Sequence, residues 1–390
     1  MKSLNLISGP TSLSVSSTRK EMPMLKATSK ANQESGTFLE FFAGSGLVTL
    51  ALKGILTPAW ANDICEKKAA VYTANHGVDH FYLGSIVNVK GKDLPEVSLA
   101  WASFPCQDLS LAGLIEGIDG ARSGLVWEWL RVIDEMKQKP PILIAENVVG
   151  LVSVAGGNHY LKLHHALVKR GYLVGAMIID ASRWVPQSRP RIFIVAVDSS
   201  ITIPEELTSS VPNWLHTDAV RKVAVGLNNW IWWNLPEPPV RKVALSDIIQ
   251  WEAPFADPKV EARNINLISP KHLTLLNEIP KYKNFAFPGY KRTRYGQQVL
   301  ELRFDNIAGC LRTPKGGSSR QELIVCIDRK LRNRLLTVRE TARLMGAPDS
   351  YKLPGSYNDG YKAMGDAVVV PVARWIAQKL LLPLLDGHAK

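Results

Sequence analysis

The 390-residue sequence predicts an α/β fold, with a doubly wound, mostly parallel sheet and a smaller irregular domain. Short apolar runs alternate with helical patterns from Thr37 to about residue 200, which is typical of such sheets. Glycines follow the first apolar run, and the alternation stops after Asp198, where Pro, Trp and Asn accumulate. Ligands of doubly wound sheets bind at the carboxyl ends of the strands. The residues directly after each apolar run are therefore the candidate site residues.

The composition limits the class of protein. With 46% apolar and 21% charged residues, the chain has ordinary globular values, which exclude whole-chain disorder and fibrous repeats. No uncharged apolar run reaches the roughly 18–20 residues of a membrane span, and the N-terminus has no continuous apolar signal core. The four cysteines form no CxxC pattern, so we expect a reducing compartment and no structural metal.

Changes in composition and in apolar periodicity along the chain predict the domain organisation. The first residues are rich in Ser, Thr, Lys and Asn without an apolar period, which predicts a disordered tail rather than a transit peptide with regularly spaced Arg. Two amphipathic helical patterns, TVRETARLMG and VVVPVARWIAQKLL, close the sequence. We expect a tail over 1–36, the sheet domain over 37–200, the irregular domain over 201–340, and helices over 341–390 that return to the sheet domain.

The positive charge is concentrated in one stretch, residues 281–343, which we call the basic segment. It holds 15 Lys/Arg against 5 Asp/Glu, in a chain with a net charge of +12. A merely solvated face is rarely so one-sided, so the basic segment predicts a surface that binds a polyanion such as nucleic acid.

The first apolar run, TFLEFF, ends in the glycine turn AGSG, and a helical pattern follows. Gly44 and Gly46 would let the backbone approach a ligand, and the helix N-terminus offers free N–H groups. Asp63 follows the second strand about twenty residues on, where an acid binds the ribose of a nucleoside cofactor. Together they favour a cofactor site over a plain tight turn. Because Thr49 stands where NAD-type motifs have a third Gly, S-adenosylmethionine is favoured over NAD.

Three later strand ends carry reactive side chains. Cys106, in SFPCQDLS, is either an inert buried cysteine or a nucleophile whose thiolate needs positive neighbours. Glu146, in LIAENVVG, is either a helix cap or a catalytic acid. Arg189 and Arg191 alternate in VPQSRPRIFIV, which suits a phosphate or a catalytic carboxylate.

Taken in order, FFAGSG, FPCQDLS, ENV, QSRPR, RLLTVRETARLMGAPDSY and GDAVVVPVARWI resemble the ordered motifs of the DNA (cytosine-5) methyltransferases. The match covers about 38–200 and 300–380. It implies a Rossmann-like S-adenosylmethionine-dependent methyltransferase fold, with a catalytic and cofactor-binding domain over 37–200 and a target-recognition domain over 201–340. Each motif alone would be only suggestive, but their order and spacing are specific.

The resemblance implies a covalent mechanism on a cytosine that is flipped out of the duplex. Cys106 resembles the nucleophile that adds to carbon 6, and Glu146 resembles the acid that contacts ring nitrogen 3. Arg189 and Arg191 resemble the pair that orients this acid and the base. Loss of the carbon 5 proton after methyl transfer then expels the cysteine. The catalytic residues implied by the resemblance are Cys106, Glu146, Asn147, Gln187, Arg189 and Arg191.

The resemblance also implies S-adenosylmethionine as the cofactor, with Asp63 on the ribose and Ile64 on the adenine. Two positions depart from the family pattern: Ser85 replaces an acid after Gly84, and Asp366 replaces an Asn after Gly365. The cofactor contacts implied are Phe42, Gly44, Gly46, Leu47, Asp63, Ile64, Ser85, Ile86, Pro105, Leu125, Asp366 and Val368.

Double-stranded DNA is the expected substrate. Arg292 and Arg294 would hold phosphates or read guanine edges, and phosphate contact is favoured. The Trp cluster at 230–233 is interpreted as core rather than as a base-stacking platform. The residues expected to bind DNA are Arg292, Arg294, Arg312, Lys315 and Arg320.

These features predict a cytoplasmic, monomeric restriction-modification or orphan enzyme of a prokaryote or phage, with or without a separately encoded restriction endonuclease as partner. A tRNA substrate is the first alternative, disfavoured by the large basic region and by the absence of that branch's Cys-Phe-Thr signature. A non-catalytic DNA-binding protein of the same fold is the second, disfavoured by the intact Cys106, Glu146, Arg189 and Arg191.

Overall fold

The computed structural model describes residues 36–105, 124–279, 284–313 and 320–388, so the expected tail lies outside it apart from Gly36. The described chain forms two compact units. The sheet unit comprises 36–180, 190–238 and 368–388, and the inserted unit comprises 181–189 and 239–367. The sequence placed these boundaries at 200 and 340 instead.

The sheet unit is built on a seven-stranded sheet of order β3-β2-β1-β4-β5-β7-β6. Its strands are parallel except β7, which runs antiparallel to both β5 and β6. The strands are β1 (Thr37–Phe41), β2 (Thr57–Asp63), β3 (Phe81–Leu83), β4 (Leu99–Ala102), β5 (Ile142–Val148), β6 (Tyr172–Asp180) and β7 (Pro190–Asp198). The predicted doubly wound, mostly parallel fold is confirmed, and the strand order reverses beside β1, where such sheets bind ligands.

A short pair, β8 (Thr208–Ser209) and β9 (Trp232–Trp233), follows β7 within the sheet unit. Trp233 is fully buried, and Trp230 and Trp232 pack against the apolar cluster of the main sheet. The main-chain N–H of Val174 in β6 donates to the carbonyl of Asn229, 2.8 Å away. The Trp cluster therefore belongs to the core, as expected, and this packing explains why residues up to 238 remain with the sheet.

Strands β10 (Phe285–Arg294), β11 (Gln297–Leu302), β12 (Glu322–Ile327) and β13 (Lys330–Leu335) form the antiparallel sheet of the inserted unit, in the order β11-β10-β12-β13. A tight turn at Tyr295–Gly296, where both residues have positive φ, joins β10 to β11. Phe285, Phe287 and Ile324 share the unit's apolar cluster with residues of two helices that precede the sheet.

Helices cover the sheets, and their apolar faces follow helical spacing. In α3, for example, Val126, Trp129, Leu130 and Ile133 are fully buried. The helices are α1 (Leu47–Leu52), α2 (Glu66–His76), α3 (Leu125–Glu135), α4 (Gly150–Ser153), α5 (Asn158–Val168), α6 (Asp218–Ala224), α7 (Leu245–Ile248), α8 (Pro258–Asn266), α9 (Pro270–Glu278), α10 (Val338–Leu344), α11 (Tyr357–Asp366), α12 (Val370–Ile376) and α13 (Leu382–His388).

Helix α12 returns the chain to the sheet unit and packs against α1. Nη1 of Arg374 donates to the carbonyl oxygens of Ala51 and Lys53, at 3.1 and 3.0 Å, which lie at the C-terminal end of α1. These groups join chain segments more than 300 residues apart.

The segment Tyr357–Asp386 is long and apolar enough to cross a membrane by length and composition alone. However, 67% of its most apolar window is buried inside the protein. This is the pattern of a core helix.

Candidate active site

The ends of β1 and β2 are fastened together by the carboxylate of Asp63. Its Oδ2 accepts from the backbone N–H of Gly44, 2.9 Å away, and its Oδ1 accepts from the N–H of Cys65 at 2.8 Å. The side chain is only 8% exposed. Each carboxylate oxygen can accept more than one hydrogen bond, so Asp63 holds the glycine turn and retains acceptor capacity for a ligand hydroxyl.

Asn62, the residue before it, ties three strand ends. Its Oδ1 accepts from the N–H of Phe42 at 3.4 Å, and its Nδ2 donates to the carbonyl of Gly84 at 2.9 Å. Gly84 precedes Ser85 at the end of β3. The turns after β1, β2 and β3 are therefore held as one assembly, and most of the expected cofactor contacts lie on it.

The glycine turn itself depends on Gly46, which has a φ of +79° and lies directly before α1. A Cβ at this position would lie 2.6 Å from His76 and 2.8 Å from Tyr72, both on α2. Only glycine fits both the backbone conformation and the space. The close packing of α2 on the turn explains why the sequence requires a glycine here.

A series of buried side-chain hydrogen bonds lies next to the glycine turn. The hydroxyl of Thr49 donates to Glu40 and lies 3.0 Å from the Tyr72 hydroxyl, which in turn contacts Nε2 of His80 at 2.9 Å. Burial raises the pKa of Glu40 to about 8, and burial lowers the pKa of His76 to about 4. Near neutral pH, both groups are therefore predominantly uncharged beside the turn.

The expected cofactor residues fit S-adenosylmethionine in kind. Ile64 is 70% exposed beside the acid of Asp63, as an apolar cover for an adenine would be. Leu47, Ile86 and Val368 are buried, so they would reach a ligand mainly through their backbone.

The two residues that depart from the family pattern, Ser85 and Asp366, each have a hydrogen-bond partner in the structure. The hydroxyl of Ser85 accepts from the N–H of Val87 at 3.3 Å, so it stabilises its own turn. Asp366, in the inserted unit, accepts from the hydroxyl of Thr313. In both cases the replacement residue has a structural contact within the described chain.

Cys106 lies outside the described residues, but the backbone leading to it is described as far as Pro105. Nδ2 of Asn147 donates to the carbonyl of Phe104, 3.1 Å away, and this contact is buried. The N–H of Ser103 donates to the carbonyl of Phe41 at 3.3 Å. The chain before Cys106 is thus fastened to its neighbours β5 and β1 at two consecutive residues.

Glu146 lies at the same end of β5, beside Asn147, and is 6% exposed. Its Oε1 is 3.2 Å from Nε of Arg191, which is on the adjacent strand β7. The strand register pairs Glu146 with Phe193 and Val148 with Arg191, so the two charged residues are diagonal neighbours on one face. The structure therefore brings Arg191 to Glu146.

Gln187 and Arg189 lie in the inserted unit and hold its backbone. The guanidinium of Arg189 donates to the carbonyls of Leu311, Gly365 and Ala367, at 3.0, 2.9 and 2.8 Å. Gln187 accepts from the N–H of Leu311 and donates to the carbonyl of Leu344, at 2.9 and 2.8 Å. Arg189 and Arg191 are only two residues apart, but Arg189 contacts main-chain carbonyls of the inserted unit, whereas Arg191 contacts Glu146.

The expected DNA-binding arginines differ in their surroundings. Arg292 and Arg312 both lie over the ring of Tyr290, at 5.1 and 5.5 Å from its centroid. The Tyr290 hydroxyl donates to the carbonyl of Cys310. The ring is therefore anchored, and each of the two guanidiniums contacts it.

Arg294 and Arg320 have polar partners. Nε and Nη2 of Arg294 contact both oxygens of Glu301, at 2.6 and 2.9 Å, in an exposed ion pair. Nη2 of Arg320 donates to Oδ1 of Asn358 at 2.6 Å. Lys315 lies outside the described residues.

Much of the basic segment is neutralised within the inserted unit. The cations that form ion pairs there include Lys291 with Glu322, Arg303 with Asp305, Arg332 with Glu261, Arg334 with Glu340 and Arg343 with Asp349. Two of these acids, Glu261 and Asp349, lie outside the segment, so its composition overstates the free positive charge. Within the described ranges, no group of three or more His, Cys, Asp or Glu side chains is placed to hold a metal.

Solved structures share the fold. The crystal structure of Dnmt2 methyltransferase from S. pombe matches with a TM-score of 0.56 and 20% identity, over 91% of this chain and 99% of that one. A putative DNA modification methyltransferase encoded within an E. coli prophage matches with a TM-score of 0.54 and 19% identity, over 89% and 99%. At these identities the likeness supports the fold.

Sequence relatives extend the likeness over the same length. Type II methyltransferase M.Bsp6I of Bacillus sp. (strain RFL6) is 25% identical over 88% of this chain and 98% of the relative. Type II methyltransferase M.MthTI of Methanothermobacter thermautotrophicus is 28% identical over 87% and 95%. The family model described as C-5 cytosine-specific DNA methylase matches residues 36–382. The chain therefore belongs to the C-5 cytosine-specific DNA methylase family and is a DNA cytosine-5 methyltransferase.

Proposed function

We propose that the protein flips a cytosine out of a specific short duplex sequence and methylates its carbon 5, with Cys106 as the nucleophile. The observation that carries this proposal is the ion pair of the buried Glu146 with the partly buried Arg191, next to the strand end that leads into Cys106. A carboxylate with a guanidinium partner, one strand away from a thiol-bearing loop, suits the activation of a pyrimidine ring.

The reaction requires two bonds to form and two to break on the base. The Cys106 thiolate adds to carbon 6 while Glu146 hydrogen-bonds ring nitrogen 3, which makes carbon 5 nucleophilic. S-adenosylmethionine, when bound, would supply an electrophilic methyl group; carbon 5 bonds to this methyl as its bond to the sulfonium sulfur breaks, which leaves S-adenosylhomocysteine. A base then removes the carbon 5 proton, and the electron pair returns to the ring as the Cys106–carbon 6 bond breaks. Arg191 keeps Glu146 in place, and Asn147 positions the chain before the thiol.

The cofactor is held at the ends of β1, β2 and β3. Asp63 would accept from the ribose hydroxyls, Ile64 would cover the adenine, and the backbone at Gly44 and Gly46 would approach the methionyl part. The bonds from Gly44 and Cys65 to Asp63 support this assignment, since they fix the carboxylate before any ligand arrives.

The inserted unit binds the DNA. Arg292 and Arg312, both held over Tyr290, contact phosphates, and Lys315 and Arg320 extend the contact. Arg294 contributes less, because Glu301 already neutralises it.

The relatives named Type II methyltransferases support a restriction-modification or orphan modification role in a prokaryote or phage. In that setting the enzyme works as a monomer in the cytoplasm, with or without a separately encoded endonuclease.

Bisulfite sequencing of plasmid DNA from cells that express the chain tests the proposal, with Cys106→Ser as the control. We expect protected cytosines within one short motif and none with the control. Purified enzyme should also form a covalent adduct with duplex DNA that contains 5-fluorocytosine, because fluorine at carbon 5 blocks the last step. Unprotected DNA and no adduct from folded protein would refute the proposal and favour a tRNA substrate or a non-catalytic DNA binder.

A further inference from the structure

The guanidinium of Arg131, on α3, donates several hydrogen bonds to the segment after β3. Its Nη2 donates to the carbonyls of Ile86 and Val87, at 3.2 and 3.3 Å, and Nη1 and Nη2 both lie 3.1 Å from the carbonyl of Val89. A single guanidinium therefore donates hydrogen bonds to three main-chain carbonyl oxygens of one short segment, residues 86–89.

Two carboxylates on the same helix hold this guanidinium. Nε of Arg131 contacts Glu128 at 2.8 Å, and Nη1 contacts Glu135 at 2.7 Å. The second oxygen of Glu135 accepts from the N–H of Gly91 at 2.9 Å. A Cβ on Gly91 would lie 1.9 Å from the carbonyl of Val132, so the segment lies directly on α3. We call this set of contacts the Arg131 clamp.

The clamp joins two of the elements that carry expected cofactor contacts. Ile86 begins the clamped segment and Ser85 directly precedes it, and Leu125 is the first residue of α3. The segment has weak regular structure of its own: β3 has three residues, and the two 3₁₀ turns that follow have three each. Such short elements hold their position mainly through tertiary contacts.

We propose that Arg131 is a positioning residue that sets the affinity for S-adenosylmethionine by fixing the Ser85–Ile86 turn against α3. The inference rests on the proposed cofactor site. Arg131 acts through the carbonyls of 86–89, not through contact with the cofactor or the reacting atoms. Loss of the clamp lets the turn move away from α3, and the bound cofactor must then bear the cost of ordering it.

The geometry separates this role from an ordinary surface ion pair. Exposed pairs contribute little to stability, so Glu128 and Glu135 alone would make Arg131 nearly dispensable. The three carbonyls need the planar, multi-donor guanidinium, which lysine cannot reproduce.

Arg131→Met tests the inference, with Arg170→Met as the matched control. Arg170 contacts Asp134, also on α3, at 2.6 Å, and it donates to the carbonyl of Ala166 on α5, away from the clamped segment. We expect Arg131→Met to raise the KM for S-adenosylmethionine and the Kd for S-adenosylhomocysteine about tenfold, the equivalent of about 1.4 kcal/mol, with kcat within twofold. Arg170→Met should lower the Tm similarly but leave KM and Kd unchanged.

Arg131→Lys is the milder variant if Arg131→Met folds poorly. Lysine keeps the positive charge for the ion pairs but not the multiple donors for the carbonyls. We therefore expect Arg131→Lys still to bind the cofactor more weakly than the unmutated enzyme. Normal KM and Kd in a folded Arg131 variant with a lowered Tm would show that the clamp is only structural and overturn the inference. If the unmutated enzyme fails to bind S-adenosylhomocysteine by calorimetry, the proposed function itself fails.

Discussion

The side-chain amide of Asn147 donates to the main-chain carbonyl of Phe104, two residues before Cys106, at 3.1 Å. The contact is buried and joins β5 to the segment that follows β4. It fastens the described chain that leads to Cys106, the proposed nucleophile, to a residue adjacent to Glu146.

Asn147→Ala should therefore lower the methyl-transfer rate on the order of 100-fold, because a displacement of about 1 Å at a reacting group has that effect. Single-turnover rates with saturating DNA and cofactor measure it. Asn75→Ala, which removes a similar amide–carbonyl bond within α2, is the control. A normal rate in Asn147→Ala would mean that the Phe104 contact does not position the thiol.

Glu146 and Arg191 should act as one unit. We expect Glu146→Gln and Arg191→Met each to lower the rate by at least about 100-fold, since acid–base groups contribute that much. The double variant should be no slower than the slower single variant, because each change already disables the pair. Multiplicative losses would instead show that the two side chains work independently.

Gly46→Ala should weaken S-adenosylhomocysteine binding more than about tenfold, whereas Gly54→Ala should not. Both glycines have φ near +80°, so both substitutions carry the strain of about 1–2 kcal/mol. Only at Gly46 does the new methyl meet His76 and Tyr72, and α2 would have to move. That helix begins just after Cys65, whose N–H is bonded to Asp63. Calorimetric titration measures both variants, and equal weakening would contradict the steric argument.

Glu40 should make stability depend on pH. Its pKa is about 8 in the folded protein against 4.5 in the unfolded chain, so the folded state holds an extra proton between these values. The free energy of unfolding therefore falls as pH rises from about 4.5 to about 8, by a few kcal/mol at most. Glu40→Gln should remove this fall. The lowered pKa of His76 has the opposite effect: it makes the free energy of unfolding fall as pH decreases below about 6.5. This effect is the same in both proteins.

Chemical denaturation of both proteins at pH 5.5, 7 and 8.5 measures the effect. The stability of Glu40→Gln relative to the unmutated protein should increase steadily with pH. A constant difference would show that Glu40 titrates normally.

The DNA contacts should differ between Arg292 and Arg294. Arg292→Ala should reduce the slope of log Kd against log salt by about 0.9, the value for one phosphate contact. Arg294→Ala should reduce it less, because Glu301 already pairs with that guanidinium, and Glu301→Gln should strengthen binding. Electrophoretic shifts between 50 and 200 mM salt, about the range over which such contacts weaken, distinguish these cases. Relaxed sequence choice in Arg292→Ala at unchanged slope would assign that residue to base readout.

The sequence was sufficient for the sheet and for the strand ends that carry Asp63 and Glu146, because buried strands and their polar ends have a local pattern. It did not reveal the antiparallel direction of β7, since a strand buried on both faces reads alike in either direction. The partners of Arg189 lie more than 100 residues away, and only the fold brings them together. Arg131 was overlooked because Glu128, Arg131 and Glu135 have the spacing of common helix ion pairs.

The bonds from Arg374 to α1 also bear on how the protein is made. The sheet unit contains both α1 and α12, and more than 300 residues, including the whole inserted unit, are translated between them. At roughly 5–20 residues per second, a ribosome needs about 15–60 s to cover that distance. During this interval α1 emerges without the helix that covers it, and its apolar face is open to chaperones. The inserted unit, in contrast, is complete before α12 appears, so a nascent chain contains the whole unit that we propose binds DNA before the sheet unit can finish folding.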